Sequence, residues 1–228
     1  AFNVNDKMFD GMSAEDAATL RHALGILIDR GYIAENIGQT GQKVATAFVP
    51  DGMSDGNGGI FREDDYDYPD ADSHGYYTAE YDFDAAKAEA TELLESIGYK
   101  FNDDGTLSDE NPISVEYLIN ENTAHQAIAE AIQSDWSSIG VDVTIKTEEW
   151  DTFLNDRKAG AFSIAREGWI ADYDDPINML EIFTSDSGNN DAQLGKNPEN
   201  SATPDWTAYD NLISEIRTTT DNTARVQM

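Results

Sequence analysis

The stretch FSIAREGWIADYDDPINMLEIFTSDSGNND, residues 162–191, decides the fold. Apolar residues recur with period two over residues 162–167, which predicts a strand that ends where Gly168 interrupts the pattern. The stretch ends as a predicted helix that starts near Pro176. Between the two, residues 169–173 form a loop that carries an indole, an exposed backbone and a carboxylate within a few positions. Such a combination of groups is typical of a ligand-binding loop.

Strands and helices alternate along the rest of the chain. Alternation of apolar and polar residues predicts two further strands, over residues 113–119 and 141–145. Apolar residues at helical spacing predict helices capped by Ser13, Asp84 and Thr123, and further helices that begin near Trp150 and Thr203. This order indicates right-handed crossovers and an α/β fold, with a mixed, largely parallel sheet flanked by helices. Ligands of such folds bind beyond the carboxyl ends of the strands, where the loop at 169–173 would emerge.

The composition is that of an acidic globular protein. The chain has 228 residues, of which 39% are hydrophobic, and it carries 45 acidic against 14 basic residues for a formal net charge of -31. Such a field repels phosphate backbones and anionic membrane surfaces, so nucleic acid is not an expected partner. A solvated acidic surface explains the charge more simply than cation storage does. There is no cysteine, and hence no zinc–thiolate site.

Residues 51–82 are the least regular part of the chain and are rich in aspartate, glycine and tyrosine. A calcium-binding loop is one interpretation, but the Asp-x-Asp-x-Asp-Gly spacing of an EF-hand is absent because Pro69 and Asp70 interrupt it. A long surface loop is the simpler interpretation, and whether it binds a cation stays open.

Several segments carry a resemblance to a known family. The resemblance is to the oligopeptide-binding class of extracytoplasmic solute-binding proteins, solute-binding protein family 5. It covers residues 162–191 and also residues 20–37, 116–120 and 136–166. The resemblance implies a two-lobe, periplasmic-binding-protein-like fold, of which residues 1–228 would form a single ligand-binding lobe. The first lobe and the C-terminal return of the chain are expected to lie outside this sequence.

The same resemblance implies the function and its setting. The protein would capture extended oligopeptides outside the cytoplasm, in the periplasm or at the cell surface as a lipoprotein. It would work as a monomer and pass the peptide to the membrane permease of an ABC importer, without a cofactor. Relatives with this fold also carry dipeptides, nickel, haem or oligosaccharides, so the cargo stays open between these classes.

Asp172 is the leading candidate for a ligand residue. A free peptide carries an α-ammonium group, and burying that cation requires a carboxylate and further hydrogen-bond acceptors. In the resembled proteins, the aspartate of the Gly-Trp-x-x-Asp motif has this role. The alternative is that Asp172 caps the helix near Pro176, for which Asp174 and Asp175 are better placed.

Three apolar side chains are candidates for the walls of the site. Trp169 and Ile170 precede Asp172 in the loop, and Trp169 could equally pack in the core or line a pocket. Trp150 matches a pocket-lining position of the family and has the same two interpretations. Trp136, in contrast, lies on the apolar face of its predicted helix and is expected in the core.

Three basic side chains match family positions that receive the C-terminal carboxylate of the ligand: Arg157, Arg166 and His125. The planar guanidinium of arginine pairs with a carboxylate through two parallel hydrogen bonds. A surface salt bridge to one of the many acidic residues is the alternative for each. Lys158 and Glu167 depart from the family pattern, so the preferred peptide length and sequence stay open.

A carboxylate-based hydrolase is the remote alternative, with Asp172, Asp174 and Asp175 as an acid and base pair. No nucleophile elbow or phosphate-binding loop accompanies these residues, and the three histidines lie far apart without metal-ligand spacing. The sequence therefore favours a binding protein that is not an enzyme and holds no metal.

Overall fold

Three parallel strands form the sheet on which the rest of the chain is built. In the computed structural model, which describes residues 1–65 and 81–228, these are β1 (Ser114–Asn120), β2 (Asp142–Glu148) and β3 (Ile164–Ala165). Their order is β2–β1–β3, so β1 is hydrogen-bonded on both sides. The register pairs Ser114 with Asp142 and Tyr117 with Ile164. Since β1 leads to β2 and β2 to β3 through helices, the predicted crossover pattern is confirmed.

The helices surround this sheet. They are α1 (Ala14–Ile26), α2 (Arg30–Tyr32), α3 (Phe83–Ser96), α4 (Thr123–Ser137), α5 (Trp150–Ala159), α6 (Ile177–Leu180), α7 (Thr207–Thr218) and α8 (Asn222–Gln227). Turns of π-helix span Ile33–Gly38 and Phe61–Asp65, and 3₁₀ turns span Lys7–Phe9 and Glu181–Phe183. None of the helices in the described ranges has the length and apolarity that crossing a membrane requires.

The core lies on both faces of the sheet because neighbouring side chains of β1 point to opposite sides. Val115, Tyr117 and Ile119 face a large cluster formed with α1, α3 and α4. Leu118 faces the other way and packs with Phe153 of α5 in a smaller cluster. Helices therefore cover both faces, as the alternating pattern predicted.

Trp136 is buried in the large cluster, as its position on the apolar face of a helix predicted. Its indole Nε1 donates a hydrogen bond to the carbonyl oxygen of Leu24, at 2.8 Å. The bond satisfies the polar end of a buried indole and fastens α4 to α1.

Where a side chain caps a helix, the observed capping residue lies within two residues of the predicted one. Ser13 accepts a hydrogen bond from the Asp16 N–H at the start of α1, as predicted. The prediction that Asp84 caps α3 was wrong, because Asp82 has the extended backbone of a cap and accepts from the Ala85 N–H. Asp84 instead lies in the first turn, where its charge stabilises the positive end of the helix. Asn122, rather than Thr123, caps α4.

The strand predicted over residues 162–167 is much shorter in the structure. Regular pairing is limited to Ile164 and Ala165. It starts late because the Glu116 N–H donates to the hydroxyl of Ser163 instead of to a backbone carbonyl. The outer edge of β3 is covered by the start of the chain, where Phe2 forms an antiparallel bridge with Ile164. Side-chain hydrogen bonds of this kind leave no periodic signal in the sequence.

The irregular region and the chain end also depart from expectation. Residues 66–80 of the predicted surface loop lie outside the described residues, and no group of acidic or histidine side chains within 1–65 and 81–228 could hold a metal ion. The last helix was expected to begin near Thr203. It begins at Thr207, and a further helix, α8, follows it after the capping residue Asp221.

The central position of β1 predicts where the fold is most sensitive. Replacing the fully buried Leu118 with alanine should lower the free energy of unfolding by about 2–5 kcal/mol, because the cavity left between β1 and α5 cannot collapse fully. Leu212→Ala removes the same atoms from the exposed face of α7 and should change the free energy of unfolding by less than about 0.5 kcal/mol. Urea unfolding of both variants checks this, and equal effects would contradict it.

Candidate ligand-binding site

Candidate residues follow the carboxyl end of every strand. His125 lies in the first turn of α4 after β1, Trp150 begins α5 directly after β2, and Arg166 follows β3. Because the strands are parallel, these ends meet at one edge of the sheet. The order β2–β1–β3 makes the crevice between β1 and β3 the switch point at which α/β sheets bind ligands.

The loop that carries Trp169, Ile170 and Asp172 leaves the sheet at this edge and is held by Asn178. Asn178 is only 1% exposed, and its Oδ1 accepts hydrogen bonds from the Trp169 indole Nε1 and from the Asp172 backbone N–H, both at 3.0 Å. Sequence reasoning missed Asn178. The sequence pattern that could have identified it is a polar residue between two apolar neighbours in the first turn of a short predicted helix.

The carboxylates that follow Asp172 have structural partners. Asp174 Oδ1 accepts from the Ser54 N–H at 2.8 Å, and Asp175 Oδ1 accepts from the Ile177 N–H at the start of α6. Asp175 also forms an ion pair with Arg225 at 2.9 Å. The carboxylate of Asp172 is exposed and forms no hydrogen bond or ion pair with any of the described residues. Asp175 therefore makes the side-chain contact at the start of α6. The Asp172 carboxylate takes part in none of these contacts.

Trp169 lines two cavities. One has a volume of about 770 Å³ and a mostly apolar lining that includes Val44, Phe48, Met179 and Phe183. The other has about 320 Å³ and a polar lining that includes Asp172, Glu181 and Asp186. The loop thus presents an indole wall to an apolar space and a carboxylate to a polar one. Both spaces are of the size that small-molecule ligands or peptide side chains occupy.

Arg157 is paired inside the protein. Its side chain is 12% exposed, and its Nε lies 2.8 Å from Oδ2 of Asp191, which is itself almost fully buried. Nη1 lies 3.5 Å from Oε2 of Glu167, and the guanidinium stands over the ring of Phe153. Burial raises the pKa of the Glu167 carboxyl, and the charge of Arg157 opposes that rise. These contacts fasten the end of α5 to the chain after β3.

Arg166 lies on the opposite face of the sheet from Arg157, because it follows Ile164 at the strand period. It forms no ion pair with a carboxylate of the described residues. Burial lowers the pKa of His125, and the positive charge of Arg166 lowers it further. Burial raises the pKa of Tyr117 to about 12, against the opposing effect of Arg166. Arg166, His125 and Tyr117 therefore share one corner of the site, where Arg166 supplies the positive charge and also acts on Glu167.

The remaining candidates are exposed apolar side chains. Ile170 is 89% exposed, and Trp150 is about half exposed with its ring centroid 5.7 Å from that of Phe153. The structure thus brings Trp169, Ile170 and Asp172 together in one loop and His125 together with Arg166. Trp150 stands at the end of β2, and Arg157 is turned to the opposite face.

The sequence and the fold both match known proteins. The model of the family described as bacterial extracellular solute-binding proteins, family 5, middle, matches residues 1–191. The chain belongs to this family.

Individual relatives agree with this assignment. The oligopeptide-binding protein OppA of Bacillus subtilis is 30% identical over 231 residues, which cover 100% of this chain and 35% of that protein. The murein tripeptide-binding protein MppA of Escherichia coli superposes with a TM-score of 0.73 at 26% identity, covering 100% of this chain and 37% of that one. OppA of Haemophilus influenzae, solved with the peptide RPPGFSPFR, has a TM-score of 0.71 at 25% identity, covering 99% and 37%. The chain therefore spans little more than a third of the length of these relatives.

The proximity of Arg166 to His125 gives a direct test of the corner. Arg166→Gln should raise the pKa of His125, because a positive charge that disfavours the imidazolium is removed. The pKa should stay below the ordinary value of histidine, since burial, the larger cause, remains. Titration of the imidazole signals by NMR measures the change. Arg217→Gln, which removes a guanidinium paired with Glu181, should leave the titration as it is; an equal shift in both variants would contradict the arrangement.

Proposed function

We propose that this chain is the peptide-binding lobe of an ABC importer's solute-binding protein and that it captures extended oligopeptides outside the cytoplasm. The observation that carries the proposal is the Asp172 carboxylate, which lies exposed and without a described partner at the carboxyl edge of the sheet. Two cavities flank its loop. The relatives that match the chain along its full length are named for oligopeptide or dipeptide binding.

The chemistry of the two ends of a peptide fits the charges of the site. Asp172 would pair with the α-ammonium group, and Arg166 with His125 would receive the C-terminal carboxylate. Arg157 would support this corner from the opposite face, since its Nη1 donates to the carbonyl oxygen of Arg166. Trp169, Ile170 and Trp150 would line the spaces for side chains. Ordered water in such spaces adapts to varied groups, which gives binding with little sequence preference.

A single lobe of this kind would need a second surface. We infer that residues 1–228 form one lobe of a longer, two-lobe protein, since the chain covers 35% of the length of B. subtilis OppA. Pairs left exposed to water contribute only about 0–1 kcal/mol each. Closure of a second lobe would exclude that water and strengthen both terminal contacts. The proposed protein works as an extracytoplasmic monomer with a membrane permease as partner.

Catalysis is the less favoured function. A hydrolase would need two carboxylates free to exchange protons, but Asp174 and Asp175 are engaged with Ser54, Ile177 and Arg225. The family is one of solute-binding proteins. Among other cargoes, Asp172 and Arg166 favour a zwitterion over a neutral sugar or a metal ion, because each offers one full charge to an opposite one.

Ligand-induced stabilisation of the full-length protein tests the cargo. A mixed library of tri- to pentapeptides should raise its thermal midpoint, because a ligand that binds only the folded state stabilises it by mass action. Oligosaccharides and nickel salts serve as comparison ligands. Turnover of the same peptides, followed by mass spectrometry, reports on catalysis. Stabilisation by a sugar or a metal but not by peptides would rule the proposal out.

The role of Asp172 has its own test. Asp172→Asn in the full-length protein should weaken the binding of free peptides by about 2–5 kcal/mol, because the enclosed ammonium loses its counter-charge. N-acetylated peptides should bind the wild type weakly and lose little more in the variant. Asp174→Asn removes the same charge two residues away and should have a much smaller effect. Equal affinity of the wild type for free and acetylated peptides would remove Asp172 from the role.

A further inference from the structure

Asn178 occupies an unusual place for a polar side chain. It is almost fully buried at the start of α6, yet its amide oxygen faces the loop that carries the proposed ligand residues. That oxygen accepts from a side chain nine residues earlier, the Trp169 indole, and from the Asp172 backbone N–H six residues earlier. An amide oxygen has two lone pairs, and these two donors occupy both. Asn178 therefore has no acceptor capacity left for a ligand.

The loop has few other anchors near Asp172. Ile170 is exposed, and the Asp172 carboxylate has no partner among residues 1–65 and 81–228. Tyr173 donates from its hydroxyl to Glu181, and its hydroxyl also interacts with the side chain of Asn178. After Tyr173, the loop is also held at Asp174, whose carboxylate accepts from the Ser54 N–H. Trp169 and Asp172 are thus both hydrogen-bonded to one buried amide.

We propose that Asn178 is a positioning residue for the peptide site: it fixes the Trp169 indole and the Asp172 backbone so that the carboxylate already points to the place of the ligand's ammonium group. The inference rests on the proposed function for its ligand. It goes beyond that function by assigning the orientation of the site to a residue that the ligand does not touch.

The physical effect is preorganisation. A loop ordered in advance does not lose conformational freedom again when the ligand binds, so more of the contact energy appears as affinity. Without Asn178, the Trp169 indole N–H and the Asp172 N–H would each lose a buried acceptor and turn to water. The carboxylate would then sample orientations of which only some meet the ammonium group.

The test compares two substitutions at this position in the full-length protein. Asn178→Leu keeps the branching and the number of side-chain heavy atoms and removes the acceptor, and it should weaken the binding of a free tetrapeptide by about tenfold or more while leaving its N-acetylated form nearly unchanged. Asn178→Asp keeps an oxygen acceptor for both donors and should retain the preference for the free amine. Calorimetry with both peptides measures the ratio. A second readout is exchange of the Trp169 indole hydrogen, which should become faster in Asn178→Leu without any ligand.

Asn190→Leu is the matched control. Asn190 is also fully buried and clamps a loop, but its amide bonds to Thr184 and Leu194 rather than to the loop at 169–173. This variant should lose stability and keep the ratio of free to acetylated affinities. If Asn178→Leu does not fold, Asn178→Ser, which is too short to reach both donors, should show the same loss of preference.

The outcomes separate this inference from the proposed function. Equal weakening of free and acetylated peptides by Asn178→Leu, or no weakening of either, would overturn the positioning role. A wild-type protein that binds no peptide, or does not prefer the free amine, would overturn the ligand assignment instead. In that case an unchanged rate of indole exchange in Asn178→Leu would overturn the positioning of the loop as well.

Discussion

The central position of β1 is the constraint on which the rest of the structure depends. β1 is paired with β2 on one side and β3 on the other, and it is buried on both faces. Right-handed crossovers in opposite directions then place α4 and α5 on opposite faces of the sheet. The same order opens a crevice at the carboxyl ends of β1 and β3. One topological choice thus sets both the two-sided core and the location of the candidate site.

The alternation of side chains across β3 explains why two arginines close in sequence have different surroundings. Ala165 and Glu167 point to the face of α5, where Glu167 and the buried Asp191 pair with Arg157. Ile164 and Arg166 point to the face of α4, where His125 lies. Removing either partner of a buried pair such as Arg157–Asp191 leaves an uncompensated charge, so that pair holds the local fold. Arg166 forms no such ion pair with a carboxylate of the residues that the structure describes, although its charge acts on Glu167.

Local patterns in the sequence predicted most of the fold. Period-two runs located β1 and β2, and apolar spacing located α1, α4 and the buried Trp136. The late start of β3 could not be predicted, because Ser163 bonds to Glu116 through its side chain. The motif predicted a ligand-binding loop at residues 169–173, which lie outside helices and strands in the structure. Asn178 and Asp191 were missed because their roles come from tertiary contacts with Trp169 and Arg157, and no periodicity marks such contacts.

The exposure of Asp172 has a consequence for recognition. Two opposite charges in water attract each other by only about 1 kcal/mol at 4 Å, whereas the attraction grows several-fold in a medium of lower effective dielectric constant. An exposed carboxylate therefore becomes a strong site only when a second surface covers it and removes the water. The described residues supply the orientation of the charge through Asn178, and they leave its outer side open. In the proposed two-lobe protein, affinity for a charged ligand would then arise from closure over this lobe, while the orientation of the carboxylate would be set within it.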